Sequence, residues 1–268
     1  MNKLLTVVLV AVLAGLGFHQ YPARPEVENN IGKAEQLDSI RPQPEQSETQ
    51  KLYDSLQLQS VLNYEAFEQA MAGYTSIPAK NKDILTVIDF TLPSTEKRMY
   101  VLDMKRKKLL FHTIVSHGRN SGEKYATKFS NRHGSHQSSL GFYLTDATYQ
   151  GGNGYSLRLA GLERGINDQA MARAVVIHGA DYCSERVIRA TGRLGRSYGC
   201  PALPRELNKP IINTIKNGSL LYIYAGSEEY MASSNILKNS ATKPTNTVLA
   251  HHERTAPVRS QVSGQAVN

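Results

Sequence analysis

Two short stretches hold residue types able to do covalent chemistry. Val175-Val176-Ile177-His178-Gly179 is an apolar run that ends on an imidazole. Gly195-Arg196-Ser197-Tyr198-Gly199-Cys200-Pro201-Ala202-Leu203 then sets a thiol in a glycine-flanked turn, 22 residues beyond the histidine. A thiol with a pKa of about 8.5 is mostly protonated at neutral pH, and a neighbouring imidazole or helix N-terminus makes it an effective nucleophile. His178, delivered at a strand end, answers to the first, and a helix predicted from Pro204 to the second. Gly199 allows a sharp bend and Pro201 removes one competing donor. The amides of Gly199 and Cys200 are then candidates for an oxyanion hole. Plainer readings stand beside this one. A lone buried cysteine packs as a small hydrophobe, and a Cys183–Cys200 disulfide, open to an exported chain, would disable the thiol.

Chain order removes several rival chemistries. Gly195 to Gly199 matches the G-x-S-x-G elbow of serine hydrolases, but that motif needs an apolar strand before it and an Asp and a His after it. Arg189–Arg196 is not such a strand, no Asp follows Asp181, and the later histidines are His251 and His252 near the chain end. The same order excludes a papain-like Cys-then-His pair. His112, His117, His133 and His136 lack a third ligand at metal-binding spacing, so no metal or cofactor is assigned.

These residues need strands to carry them. Ile84–Phe90, Arg98–Met104, Leu109–Ser116, Gly141–Asp146, Tyr155–Ala160, Ala174–His178 and Ser219–Tyr224 read as short strands, the second and third joined by the Lys105–Lys108 turn. Helical patterns cover Asn167–Arg173, Ser184–Ala190 and Pro204–Lys216. The domain over 80–226 is therefore mainly β with a few helices. Leu52 to Met71 recurs at helical spacing, so 51–79 is a helical segment packing on that domain.

The rest of the chain divides by composition. Met1-Asn2-Lys3 followed by the apolar run Leu4–Phe18 reads as a signal peptide or N-terminal anchor over 1–23. Residues 24–50, rich in Pro, Glu, Gln and Asn, read as a flexible acidic linker, and 227–268 as a disordered tail. Of 268 residues, 31 are basic and 23 acidic, a net charge of +8. Its distribution is uneven: 24–79 carries −5, whereas 80–226 carries 22 basic against 11 acidic residues, or +11. Such a domain suits an anionic partner. No ribonucleoprotein motif or recognition helix points to nucleic acid. Two cysteines exclude a disulfide framework and a four-cysteine zinc site.

His178-Gly179 followed by Ser197-Tyr198-Gly199-Cys200 resembles the signature of the murein L,D-transpeptidases, a His and then Ser/Thr-His-Gly-Cys. Here Tyr198 stands for the second His, and Pro201-Ala202 for an apolar residue and Asn or Arg. Across 80–226 the chain resembles a divergent L,D-transpeptidase catalytic domain-like branch, through Lys128–Asn131, Ser138–Gly141, Tyr149–Gly154, Gly161–Glu163 and Asn167-Asp168. The resemblance implies a β-sandwich-like catalytic domain in the periplasm or cell envelope, acting on peptidoglycan stem peptides. Cys200 would form a thioester, His178 would take the thiol proton, and Gly179 or Ser197 would orient His178. Tyr198, Ser138 and Ser139 would contact substrate, and Arg173, Arg193 and Arg196 would hold its carboxylate. A wall-binding module without turnover and a sortase-like transpeptidase using Arg205 are the alternatives. Membrane contact is expected only through an uncleaved N-terminal segment.

Overall fold

The computed structural model describes residues 46–241. The expected leader, most of the linker and the end of the tail lie outside the described residues. The first helix, α1 (Glu48–Ser55), starts three residues inside the expected linker because Ser47 caps it, accepting the Gln50 amide at 3.1 Å. Helix α2 (Tyr64–Ser76) is capped by Asn63 and buries Ala66, Phe67, Ala70 and Met71 on one face. Each large apolar side chain so buried contributes about 1.5–3 kcal/mol. Gly73 lies on that face because a Cβ there would fall 2.2 Å from the Phe142 ring.

The strands are β1 (Asn81–Asp89), β2 (Met99–Asp103), β3 (Lys108–Thr113), β4 (Gly141–Gly151), β5 (Gly154–Gly161), β6 (Val176–Gly179), β7 (Ala202–Leu203) and β8 (Ser219–Tyr224). They form one eight-stranded sheet in the order β3-β2-β1-β8-β4-β5-β6-β7. The basic turn joins β2 to β3 as the sequence predicts, with Asp103 accepting the Arg106 amide at 2.7 Å. β1–β8 and β6–β7 are parallel and the other pairs antiparallel. Beyond β3 the chain crosses to the opposite end of the order, where Ser116 pairs with Ala202 of β7. That pairing draws the two edges together, so the sheet curls around its core.

Helices α3 (Glu185–Thr191) and α4 (Arg205–Ile215) flank β7, with Ile211, Ile212 and Ile215 of α4 buried. The expected helix over 167–173 is instead a run of turns, in which Asn167 is drawn away from helical pairing. Its side chain donates to Leu140 O and Phe142 O and accepts from the Glu163 amide.

The tail also departs from expectation up to residue 241. Residues 228–241 fold into α5 (Glu228–Ser233) and α6 (Asn235–Ala241). Buried Glu163 holds them: its carboxylate accepts from the Phe142 amide, the Tyr230 hydroxyl and the Ser234 hydroxyl. Gly141 makes room for it, with φ +97 and a Cβ position 2.1 Å from Glu163 Oε2. Glu163→Ala would leave three buried donors without an acceptor. We predict a loss of about 2–4 kcal/mol in urea unfolding, together with faster proteolysis within 228–241.

Candidate active site

β6 brings Val176 and His178 to one face, and its parallel partner β7 follows directly on Cys200-Pro201, with His178 opposite Ala202. The loop ahead of β7 is shaped by its own polar groups. Ser197 Oγ donates to Cys200 O at 2.6 Å and accepts the Gly199 amide at 3.0 Å. The main chain of Ser197 is tied on both sides, its amide to His117 O at 3.0 Å and its carbonyl to the Arg119 amide at 2.7 Å. Gly199 has φ +125, and a Cβ would lie 2.8 Å from Gln137 O, so glycine is needed both for conformation and for close approach.

Cys200 is half-buried and its thiol rests on the main chain entering β6. Sγ accepts the Val176 amide at 3.5 Å and donates toward Ala174 O at 3.6 Å. Among the described residues no hydrogen bond joins the thiol to His178. The imidazole is buried, and its Nδ1 lies 3.1 Å from Gly179 O. Since a carbonyl can only accept, Nδ1 carries the proton and Nε2 is left as the basic nitrogen. Burial raises the Cys200 pKa, opposed by the Val176 amide and the Arg173 charge. Burial also lowers that of His178, opposed by the Gly179 carbonyl. Both shifts favour the neutral forms at pH 7, a thiol on Cys200 and an imidazole on His178.

Several expected roles change with the geometry. The Gly199 amide is committed to Ser197 Oγ, so the oxyanion pair reduces to the Cys200 amide. Ser197 shapes the turn, and among the described residues no hydrogen bond joins its side chain to His178. Ser138 and Ser139 are buried and hold loops together. Ser138 Oγ accepts the Gly118 amide at 3.0 Å and donates to Gly199 O at 3.1 Å, while Ser139 Oγ donates to Ser130 O at 2.8 Å.

The three arginines assigned to a carboxylate are likewise engaged within the fold. Arg193 and Arg196 both pair with Glu123, at 2.9 and 2.7 Å. Arg173 turns inward onto the loop 130–139. Arg205, the residue the sortase alternative needs, is held by both oxygens of Asp181. Both cysteines are free, so the Cys183–Cys200 bond is absent, and burial pushes the Cys183 thiol up to about 12.

Tyr198 alone of the assigned binding residues faces solvent, at 66% exposure. His136 packs on its ring at 4.5 Å and the Arg119 guanidinium lies over it at 5.1 Å. Sequence reasoning did not find Arg119, and it read His136 only as a poor metal ligand. Nothing local announces their convergence, since they come from separate loops.

The support beneath Ser197 also went unforeseen. Arg98, fully buried, donates to Val115 O, Leu92 O and His117 Nδ1, the last at 2.8 Å, and caps the Phe90 ring. His117 Nε2 lies 3.3 Å from Gly122 O and donates to it. Burial and the Arg98 charge bring the His117 pKa down to about 4.

A family model described as the L,D-transpeptidase catalytic domain matches residues 58–224. No curated protein matches in sequence. An L,D-transpeptidase from Mycobacterium smegmatis is 15% identical over 53% of this chain and 59% of its own, with a TM-score of 0.33. The helical cell shape determining protein Pgp2 from Campylobacter jejuni is 12% identical over 58% of this chain and 54% of its own, with a TM-score of 0.38. An Enterococcus faecium L,D-transpeptidase is 16% identical over 53% and 50%, with a TM-score of 0.32. The chain thus spans between half and three fifths of the length of these solved structures.

The Arg98–His117 contact makes a prediction about acid. An unfolded histidine takes up its proton near pH 6.5, whereas folded His117 waits until about pH 4. Between those values the unfolded state binds more protons, so stability is complete above 6.5 and falls as pH drops toward 4. The expected loss is on the order of 3 kcal/mol. Urea unfolding at pH 7.5, 5.5 and 4.5 should show it, and His117→Gln should flatten that slope.

Proposed function

The chain belongs to the L,D-transpeptidase catalytic domain family, and from that membership we propose an exported cysteine acyltransferase acting on peptidoglycan stem peptides. The observation that carries the reading is the Nδ1 contact of His178 with Gly179 O. It leaves Nε2 as a base on the strand paired with the one that leaves Cys200.

In the first step the Cys200 thiol gives its proton to His178 Nε2, and Sγ attacks a stem-peptide carbonyl that follows an L-centre. The Cys200 amide is the donor placed to meet the oxyanion. Collapse breaks the peptide C–N bond, the departing D-residue amine takes the proton from His178, and a thioester remains on Cys200. An amine of a second stem then attacks that thioester, losing its proton to His178, and the new amide leaves as the thiol is restored. Water in place of the amine gives carboxypeptidation. The +11 charge of 80–226 favours residence at an anionic wall, and the apolar run Leu4–Phe18 supports export to the periplasm or cell envelope.

A second reading, a wall-binding module without turnover, draws on the protonated, half-buried thiol and the lack of a hydrogen bond between it and His178 among the described residues. One experiment separates the two. Purified protein incubated with tetrapeptide muropeptides should lose terminal D-Ala from the substrate and acquire an acyl mass on the Cys200 peptide. Wild-type turnover no greater than that of Cys200→Ala would sink the enzyme reading.

His178→Gln should lower turnover about 10²–10⁴-fold, the usual contribution of a general base. Because only neutral imidazole accepts the proton, acylation should rise with pH through a midpoint below the ordinary histidine value near 6.5. A steady-state pH profile checks this.

A further inference from the structure

Arg173 occupies an unusual place between the thiol and the loop 130–139. Its backbone leads directly into the main chain on which Cys200 Sγ rests, Ala174 O and the Val176 amide. Ala174 has φ +53, a left-handed conformation that costs alanine on the order of 1 kcal/mol and that a fixed neighbour must impose. The Ala174 amide to Met171 O and the Val175 amide to Ala170 O hold it from the main chain, and the Arg173 side chain anchors the residue before it. Nη1 donates to Ser130 O at 2.7 Å and to Ser139 Oγ, and Nη2 donates to Gln137 O at 2.6 Å and to Ser135 Oγ at 3.3 Å. Nη2 also lies 3.3 Å from where a Cβ on Gly199 would be, so the guanidinium packs against the residue preceding the nucleophile.

None of these four acceptors is charged, and among the described residues no carboxylate pairs with Arg173. A half-buried cation without a carboxylate keeps its field for whatever anion forms beside it. Tyr182 also lies within the field of the thiol, and neither it nor His178 is cationic at neutral pH. We propose that Arg173 is a positioning residue that holds the thiol cradle against the loop 130–139 and supplies the positive charge against which Cys200 ionises. Burial dominates both groups, raising the Cys200 pKa and lowering that of Arg173, and the attraction between thiolate and guanidinium opposes it on each side. The inference rests on Cys200 being the nucleophile, and it deepens the transferase reading.

The test measures the thiol without peptidoglycan. Full-length protein is alkylated with iodoacetamide from about pH 6 to about pH 11.5, and the Cys200 peptide is followed by mass spectrometry apart from buried Cys183. Arg173→Met should raise the alkylation midpoint by at least about one pH unit, slowing the reaction at pH 7.5 about tenfold. Arg173→Lys, which keeps the charge but not the fork, should stay near the wild-type midpoint. If Arg173→Met does not show native circular dichroism, Arg173→Gln, which retains an amide donor, replaces it.

An unchanged midpoint in the uncharged variant overturns the proposal, even where its melting temperature falls, because a purely structural role would lower stability alone. A wild type inert on muropeptides with a shifted variant midpoint rejects the transferase reading and leaves the role of Arg173 standing. An active wild type with an unshifted midpoint does the opposite.

Discussion

The approach of the Ser197–Cys200 turn to the loop ending at Ser139 governs the rest of this structure. Gly199 meets Gln137 O at a distance that excludes any side chain, and Ser138 Oγ closes the gap by donating to Gly199 O. The Ser116–Ala202 pairing then carries the chain from that turn into the sheet and binds its two ends. Close backbone approach orients groups that cannot orient themselves. Cys200 has one side-chain torsion, so fixing its main chain largely fixes where its sulfur points. The curl of the sheet follows from the Ser116–Ala202 pairing and the direction of the thiol from the approach at Gly199, two contacts made by one short segment.

Cations buried on carbonyl groups are the second theme. Arg98 and Arg173 both sink guanidinium groups onto main-chain oxygens, and burial holds both pKa values below the usual arginine range, that of Arg98 at about 9. Carbonyl dipoles satisfy the donors without cancelling the charge. Burial first, and then that uncancelled charge nearby, keep His117 neutral next to Arg98. Where neutralisation is wanted the fold provides a carboxylate instead, as Glu123 does for Arg193 and Arg196.

This division explains what was readable along the chain. Strand runs such as Ile84–Phe90 and Ser219–Tyr224 and the turn Lys105–Lys108 were evident, because apolar spacing and turn chemistry act over a few neighbouring residues. The 167–173 segment misled for a physical reason. Its residue types suit a helix, but Asn167 spends its side chain on Leu140 O and Phe142 O, a choice available only once β4 lies beside it. The helices at 228–241 were hidden in the same way, since their anchor, Glu163, is 67 residues from Tyr230.

By itself the sequence determined the pairing of a histidine strand with a glycine-bounded cysteine, the mainly-β domain and its positive charge. Each follows from residues close together in the chain or from simple summation. Only the tertiary structure decided which polar side chains face inward. The resemblance implied that Ser138, Ser139 and Arg173 contact substrate, yet they serve the loops beneath Cys200, whereas Tyr198 remains exposed at the surface. A polar side chain takes the best unsatisfied partner within reach, and what is within reach is settled by packing between segments far apart in sequence.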